Sequence, residues 1–369
     1  MEIRYHSAVG SGLEDRLAST AGMDSVKGIL LLTTPDQELL SAEFETALRE
    51  LEVPIFGGVF PELLYDGDKR DHGALIVGLS SEPLVTTVPE LSDSERSFRT
   101  SLDPDLPARG YETAFVFVDA HADEVEAFIE ALFRTYSVEL NFIGGGAGTL
   151  DKDQQPCLFT NDGVIEDAAV VATLSEPMEI GVKHGWQKID GPFRVTDADG
   201  SRLETLDGKP ALDVYRAVIA DHAGETVTAE NFFQIAKSYP FGLSRMAAEE
   251  IVRDPFAVAD DGSISCFGEI PEGEFVTVLE GNSDSLVDAA RTAYDHALSG
   301  KKRPDGLCIF DCISRVLFLK DKFDRELAAV TAGDLPTFGA LTIGEIANDG
   351  AGHLDYYNKT AVVGTLRET

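Results

Sequence analysis

Basic residues are scarce in this chain. Its 369 residues include 30 Lys and Arg against 65 Asp and Glu, a formal net charge of −35 at pH 7. Nucleic acids and anionic membranes repel such a polyanion, so we expect neither as a partner. The acids are scattered along the chain rather than massed in one tail, and we interpret them as a solvated, salt-adapted surface typical of a halophile. The alternative is an acidic docking surface for a basic partner.

Long apolar runs and paired cysteines are also lacking. No run of 18 or more apolar residues occurs, which predicts no membrane span, and the N-terminus lacks the pattern of a signal peptide, so we expect a cytoplasmic protein. The cysteines show neither CxxC spacing nor a partner histidine pattern, and no HExxH occurs, so we expect no metal. These cysteines are Cys157, Cys266, Cys308 and Cys312.

Motifs of nucleophilic catalysis and of nucleotide binding are missing as well. No GxSxG and no serine triad order is found. The run Gly144–Gly148 follows an apolar strand but leads into the polar segment Asp151–Pro156 rather than into a helix. A dinucleotide loop needs that helix, because its N-terminus holds the pyrophosphate. We therefore expect no cofactor.

A repeated pattern dominates what is present: apolar strand, amphipathic helix, apolar Gly-Gly turn, polar loop and second apolar strand. The first copy spans residues 28–91 and the second spans residues 113–186. A third, more divergent copy consists of residues 307–313, 336–350 and 360–366. Such repetition predicts α/β units that bury one core together, with a site where equivalent loops converge.

The order of elements predicts the fold class. In each copy a glycine turn, not a second crossover helix, leads to the following strand. We therefore predict an α+β fold in which duplicated strand–helix–strand–strand units form mixed sheets with helices on the outer faces, in two domains with internal pseudo-symmetry. Between the second and third copies, Asp199-Gly200 predicts a hairpin over residues 193–208.

The first candidate site residues lie in and after the second copy. Gly145 and Gly146 allow close approach of a ligand carboxylate or carbonyl to the backbone; the alternative is a tight turn where two sheets meet. Trp186 and His184 could form a pocket wall, with His184 bonding a ligand. The alternative is a tryptophan packed in the core with its N–H satisfied.

The third copy supplies the other candidates. Cys312 and Arg315 follow its first strand, where Arg315 could clamp a ligand carboxylate or pair with a protein acid, Glu345 being the expected one. Glu345, in the counterpart of Pro61-Glu62-Leu63, could cap N–H groups or bind a ligand ammonium. Asn358 could reach the same cleft.

Thr360 enters the final strand with Asn358, and both could orient the turn that carries Glu345 or reach the same cleft. Arg245 is a weaker candidate for a second contact to an anion.

Two sets of segments carry a resemblance to a known family. The chain resembles the FIST proteins (F-box and intracellular signal transduction), which have an N-terminal and a C-terminal FIST domain. The segments, in the family's order, are Phe142–Leu174 and Val182–Tyr215 for the N-terminal domain, and Cys266–Gly281, Cys308–Arg315, Thr337–Ile346 and Tyr356–Val363 for the C-terminal domain.

The resemblance implies a domain plan and a function. It implies an N-terminal FIST domain over residues 26–210 and a C-terminal FIST domain over residues 211–367, with residues 1–25 leading in. FIST domains are regarded as sensory modules that bind small ligands, amino acids being a favoured guess. No output domain is recognisable, so this member would stand alone, in a haloarchaeal host, and signal through a partner protein.

We therefore predict a cytoplasmic sensory protein that binds an amino acid or small carboxylate without chemistry on it. An enzyme using Cys312 or His184 on a small amide or carboxylate is one alternative. A protein-interaction scaffold without a small ligand is the other.

Overall fold

The structure is a computed structural model that describes residues 2–7, 12–151, 154–244, 250–300, 302–348 and 352–367. The first repeat unit begins with a strand and helix that precede the predicted first copy. Its elements are β1 (Glu2–His6), α1 (Leu13–Ala21), β2 (Gly28–Thr33), α2 (Ala42–Glu50), β3 (Ile55–Val59), β4 (Glu62–Tyr65), β5 (Asp68–Arg70) and β6 (Ala74–Leu79).

The second unit repeats this order with short 3₁₀ turns in place of the first helix. Its elements are β7 (Leu84–Pro89), β8 (Thr113–Asp119), α3 (Val125–Tyr136), β9 (Asn141–Ala147), β10 (Leu158–Thr160), β11 (Gly163–Ile165) and β12 (Ala168–Leu174).

The third unit opens with β13 (Ile180–Lys183), after which an antiparallel barrel is inserted. The inserted elements are β14 (Gln187–Asp199), β15 (Arg202–Leu206), β16 (Lys209–Pro210), α4 (Ala211–Ala223), α5 (Phe232–Ala236), β17 (Phe241–Leu243), β18 (Ile251–Val258), β19 (Ile264–Phe267) and β20 (Phe275–Glu280). The strand order is β14-β20-β17-β18-β19-β15-β16, and pairing of β14 with β15 closes it.

The third unit then resumes and runs to the end of the chain. Its remaining elements are α6 (Ser283–Ala297), β21 (Gly306–Cys312), α7 (Ile313–Leu319), α8 (Phe323–Val330), β22 (Thr337–Thr342), β23 (Glu345–Asn348), β24 (Leu354–Tyr357) and β25 (Ala361–Leu366). The α+β class, the mixed sheets and the internal pseudo-symmetry predicted from the sequence are confirmed.

Each unit builds one sheet and completes it with a hairpin borrowed from another unit. The orders are β1-β6-β2-β3-β10-β11, β7-β12-β8-β9-β23-β24 and β13-β25-β21-β22-β4-β5. Hence the β10–β11 hairpin of unit two completes the sheet of unit one, β23–β24 of unit three completes that of unit two, and β4–β5 of unit one completes that of unit three. This cyclic exchange ties the three units into one pseudo-threefold body.

The sheets bury both faces of their central strands, which is why these strands read as continuous apolar runs. On the inward faces Phe115, Phe117 and Phe310 form edge and stacked contacts at 5.6–6.4 Å between ring centroids. On the outward face of β8, Val116 and its neighbours pack under α3. The helices therefore cover the outer faces, as predicted.

The glycine pairs lie inside strands, not in turns as the sequence analysis expected. Gly57, Gly144 and Gly339 occupy equivalent positions in β3, β9 and β22. A Cβ atom built on them would lie 1.8, 1.9 and 1.7 Å from a carbonyl oxygen of the neighbouring parallel strand. Glycine is required here because no side chain fits between the two backbones.

Sheet pairing crosses the predicted domain boundary. Residue 210 lies within the barrel, so β14 to β16 precede the boundary while α4 and β17 to β20 follow it. Two strands within the predicted copies, β7 and β13, pair in the sheets of the following units. A domain boundary between residues 210 and 211 remains a prediction from the sequence.

Candidate functional site

A cavity of about 580 Å³ lies where the third unit meets the barrel, and residues of the second unit form one side of it. It opens where β21 ends, and the carboxyl end of parallel strands is where open α/β sheets place ligands. Its lining residues are His121, Thr149, Leu150, Phe233, Lys237, Asp254, Phe267, Cys312, Ile313, Ser314, Val316, Leu317, Lys320, Ile343, Gly344, Asn358 and Lys359.

Cys312 lies in the wall of this cavity with Glu345 beside it. Glu345 is fully buried; the Thr342 hydroxyl donates to its Oε1 at 2.8 Å and the Thr360 N–H to its Oε2 at 3.2 Å. Burial raises the pKa of Glu345 to about 8, against the opposing effect of hydrogen bonds from Thr342, Thr360 and the Cys312 thiol. Burial and the nearby Glu345 raise the pKa of Cys312 far above its usual range, so the thiol stays protonated at neutral pH.

The strand register shows that Glu345 occupies the position that is leucine in the other two units. Glu345 pairs with Gly145 at the position where Leu63 pairs with Ala340 and Leu158 pairs with Gly58. Both leucines are fully buried. The sequence alignment of Glu345 with Glu62 is therefore wrong by one residue, because side chains alternate across a strand and Glu62 faces the other way, toward Lys69.

An ion pair at the cavity wall joins the third unit to the barrel. The Lys359 ammonium contacts Asp254 Oδ2 at 3.0 Å, donates to the Lys237 carbonyl at 3.1 Å and lies 4.9 Å from the Trp186 ring centroid. Burial raises the pKa of Asp254, opposed by Lys359 and by the Ser314 hydroxyl. Asp254 Oδ1 is buried and makes no hydrogen bond to any described residue.

Sequence reasoning missed Asp254 and Lys359. The signal was weak but present: Arg253 and Asp254 interrupt the apolar run of β18, and Lys359 comes just before the apolar strand β25 in a chain with few basic residues. Lys359 also has a φ of 53°, a left-handed conformation that a non-glycine residue seldom adopts.

Arg315 does not line the cavity, which corrects its proposed role as a ligand clamp. It is fully buried, and Glu326 rather than Glu345 is its main partner, at 2.9 Å from Nε and 2.6 Å from Nη2. Its remaining donors go to the carbonyls of His184, Leu286 and Lys359. No donor remains for a ligand carboxylate.

Asp311 completes this buried cluster, with its Oδ1 lying 3.2 Å from Arg315 Nε. Burial and Glu326 raise its pKa well above the usual range. The guanidinium therefore balances one carboxylate, that of Glu326, and this cluster serves the fold behind the cavity wall.

His184 and Trp186 also lie behind the wall. His184 Nδ1 accepts the Trp186 backbone N–H at 2.8 Å, and the indole N–H donates to the Lys359 carbonyl at 3.3 Å. Phe318 packs on the indole at 5.0 Å between centroids. The structure thus places Trp186 in the core with its N–H satisfied, where it supports Lys359.

Gly145 and Gly146 support the cavity from outside. Gly146 N–H donates to the Gly344 carbonyl at 2.8 Å, and its own carbonyl accepts the Ile343 N–H at 3.0 Å. A Cβ atom on Gly146 would lie 2.1 Å from the Ile343 carbonyl oxygen. The glycines therefore meet the Ile343–Gly344 turn of another unit instead of a ligand.

The predicted residues thus fall into two groups. Cys312 and Asn358 line the cavity, and Glu345 and Thr360 lie directly beneath it. Arg315, His184, Trp186, Gly145 and Gly146 hold its walls in place. Arg245 lies outside the described residues.

The rim of the cavity is apolar and exposed. Leu150, Phe233, Phe267 and Leu317 are 59%, 46%, 45% and 49% exposed. They make up half of the large apolar side chains that are exposed in the described part of the chain. A concentration of this kind on a highly charged protein marks a binding surface.

Two further findings bear on the class of protein. In the described ranges, no helix is both long and apolar enough to cross a membrane. No three His, Cys, Asp or Glu side chains among the described residues come together as metal ligands would.

Comparison with known proteins gives a clear family match. Residues 29–209 match the family model of the FIST N domain, and residues 211–348 match that of the FIST C domain. An uncharacterised protein of Methanocaldococcus jannaschii is 24% identical over 197 residues, which cover 49% of this chain and 38% of that protein. A structure of PurLQS from Thermotoga maritima aligns over 98% of this chain and 71% of its own, at 11% identity and a TM-score of 0.17, too low to carry an argument.

Proposed function

The chain belongs to the FIST family, whose domains are sensory domains of signal transduction, and from this premise we propose that it is a cytoplasmic sensor. Its ligand is a small organic molecule, such as an amino acid, held in the cavity between the third unit and the barrel. Binding changes no covalent bond of the ligand, and a partner protein reads the occupied state.

The observation that carries this proposal is the contrast among the three units. The body is close to threefold symmetric, yet only unit three has a glutamate at the buried strand position that is Leu63 or Leu158 elsewhere. Where the first parallel strand of each unit ends, unit three has Cys312 at the position that is Thr34 in unit one and Asp119 in unit two. A buried acid at an apolar position costs stability. Such a cost is typical of functional sites, and here it accompanies the cavity.

The protonated state of Cys312 supports binding over catalysis. A nucleophilic cysteine needs a thiolate, stabilised by a histidine or another cation. Here burial and the nearby Glu345 raise the pKa of the thiol more than the Lys359 ammonium lowers it, and His184 lies behind the wall. The enzyme alternative therefore has little support.

A second candidate function is protein interaction at the rim. Phe256 packs on Phe267 at 4.5 Å between ring centroids, which extends the exposed apolar surface beyond the cavity mouth. A partner that covers this surface would also close the cavity. This role is compatible with ligand sensing.

A thermal-shift screen in multimolar KCl against amino acids and small organic acids and amines tests the proposal. A ligand at 100 times its dissociation constant should add about 2.7 kcal/mol of stability. Leu317→Trp, which fills the cavity mouth, should abolish the shift. Val138→Trp, at another exposed apolar position, should preserve it. A shift that survives Leu317→Trp would place the ligand elsewhere.

A further inference from the structure

Asp254 and Asn358 place two acceptor oxygens at the inner wall of the cavity. Asp254 Oδ1 makes no hydrogen bond to any described residue, although the Ser314 hydroxyl lies close enough to the carboxylate to lower its pKa. The Asn358 amide nitrogen donates to the Phe267 carbonyl at 3.3 Å, so its oxygen is the atom left to accept a hydrogen bond. Both residues are about 95% buried and both line the cavity.

Most donors near these oxygens are already engaged, and the Ser314 hydroxyl, which also lines the cavity, interacts with the Asp254 carboxylate. Lys359 uses its ammonium on Asp254 Oδ2, the Lys237 carbonyl and the Trp186 ring. The Cys312 thiol bonds Glu345. Arg315 is enclosed by protein acceptors. The inner wall therefore offers acceptors to a ligand and few donors, and a buried acceptor without a donor is costly.

From this imbalance we infer that the ligand enters with a hydrogen-bond donor, a primary ammonium group, at its buried end, held by Asp254 and Asn358. The inference rests on the proposed function and names the chemistry of its ligand. An ammonium offers three donors, enough for both oxygens, and it meets a carboxylate whose second oxygen is already paired.

The rest of the cavity specifies the body of the ligand. Ile313, Val316 and Ile343 join the apolar rim in lining it, so the part of the ligand beyond the ammonium is apolar. The volume of about 580 Å³ is in the range of cavities that enclose molecules larger than a single amino acid. The net charge of −35 favours the approach of a cation over that of an anion.

Isothermal titration calorimetry of the full chain tests which head group is recognised. It uses three compounds that share one apolar body. Phenethylamine carries only an ammonium, hydrocinnamate only a carboxylate, and phenylalanine both. The inference predicts binding of phenethylamine and no binding of hydrocinnamate. Hydrocinnamate binding as tightly as phenethylamine would overturn it and leave the small-ligand function standing. Absence of binding by every compound, here and in the wider screen, would overturn both.

Two variants of the chain test where the ammonium group of the ligand binds. Asp254→Asn keeps an acceptor but removes the charge, so the affinity for phenethylamine should fall roughly tenfold to a hundredfold. Phenethyl alcohol, a neutral donor with the same body, should bind both forms equally. Because Asp254→Asn leaves Lys359 without its counter-charge and could impair folding, Asn358→Ala is the second variant. It should weaken the amine at least severalfold, and an unchanged affinity in either folded variant would contradict the inference.

Discussion

At the scale of single residues, polar groups occupy positions that the repeat itself makes apolar. Glu345 lies where the other units bury Leu63 and Leu158, and its carboxyl is held by Thr342 and Thr360. Arg315, on helix α7, is likewise fully buried and pairs with Glu326. The two groups differ in their response to pH: the Glu345 carboxyl titrates near neutral pH, whereas the Arg315 guanidinium stays charged throughout.

The raised pKa of Glu345 makes folding depend on pH. Its pKa is about 8 in the folded chain and near 4.5 when unfolded, so between these values the folded state binds the extra proton. The free energy of unfolding should therefore fall as pH rises through this window, by at most about 1.4 kcal/mol per pH unit. Denaturant melts of the wild type and Glu345→Gln from acid to mildly alkaline pH measure this, and the variant should show the flatter profile. Parallel profiles would contradict the shifted pKa.

Removal of the Arg315 side chain should lower the free energy of unfolding. Arg315→Ala leaves Glu326 buried without a counter-charge, which we expect to cost about 3–5 kcal/mol. Arg134→Ala, which removes an exposed pair with Glu130, should change stability by less than about 1 kcal/mol. Urea unfolding measures both. A fully stable Arg315→Ala that lost only ligand binding would restore the predicted clamp.

At the scale of elements, the strand pairs depend on glycines that allow close backbone approach. Gly57, Gly144 and Gly339 each lie against a carbonyl of the neighbouring parallel strand. The repetition of this requirement in three units explains why a glycine recurs at this point of every copy of the pattern. It also shows why these segments were misread as turns, because glycine is common in turns and in closely packed strands.

Substitution of one of these glycines tests the close approach. Gly144→Ala should destabilise the chain by about 1–3 kcal/mol or more, because the added methyl meets the Val116 carbonyl and the φ of 152° disfavours a side chain. Gly22→Ala is the control: its φ is −75° and its nearest atom lies 3.4 Å away, so the change should stay within about 1 kcal/mol. Equal effects on the thermal midpoint would refute the steric argument.

At the scale of the whole molecule, hairpin exchange makes the units interdependent. The second sheet is completed by β23–β24, and the third by β4–β5. Residues 1–210 expressed alone should therefore expose the edge of β9 and aggregate, and residues 211–369 alone should lack three strands of their sheet, β4, β5 and β13. Co-expression should recover a soluble complex of the two fragments. Two soluble, cooperatively folding fragments would show that the sequence domains are independent.

The charge of the whole molecule predicts a response to salt. With a net charge of −35, mutual repulsion of the carboxylates opposes the compact state, and salt screens it. The free energy of unfolding should rise as KCl is raised into the molar range. A midpoint independent of KCl would argue against a salt-adapted surface.

The sequence alone determined the repeat, the α+β class and the family, because apolar periodicity and glycine spacing reflect local backbone requirements. It also singled out Cys312, Asn358 and Glu345, which follow strands where sheets place sites. Only the tertiary structure showed that the units exchange hairpins, that Arg315 pairs with Glu326, and that Asp254 of the barrel meets Lys359. These contacts join residues distant in sequence, and which of several acids faces a buried base depends on strand register and sheet packing, which local patterns do not specify.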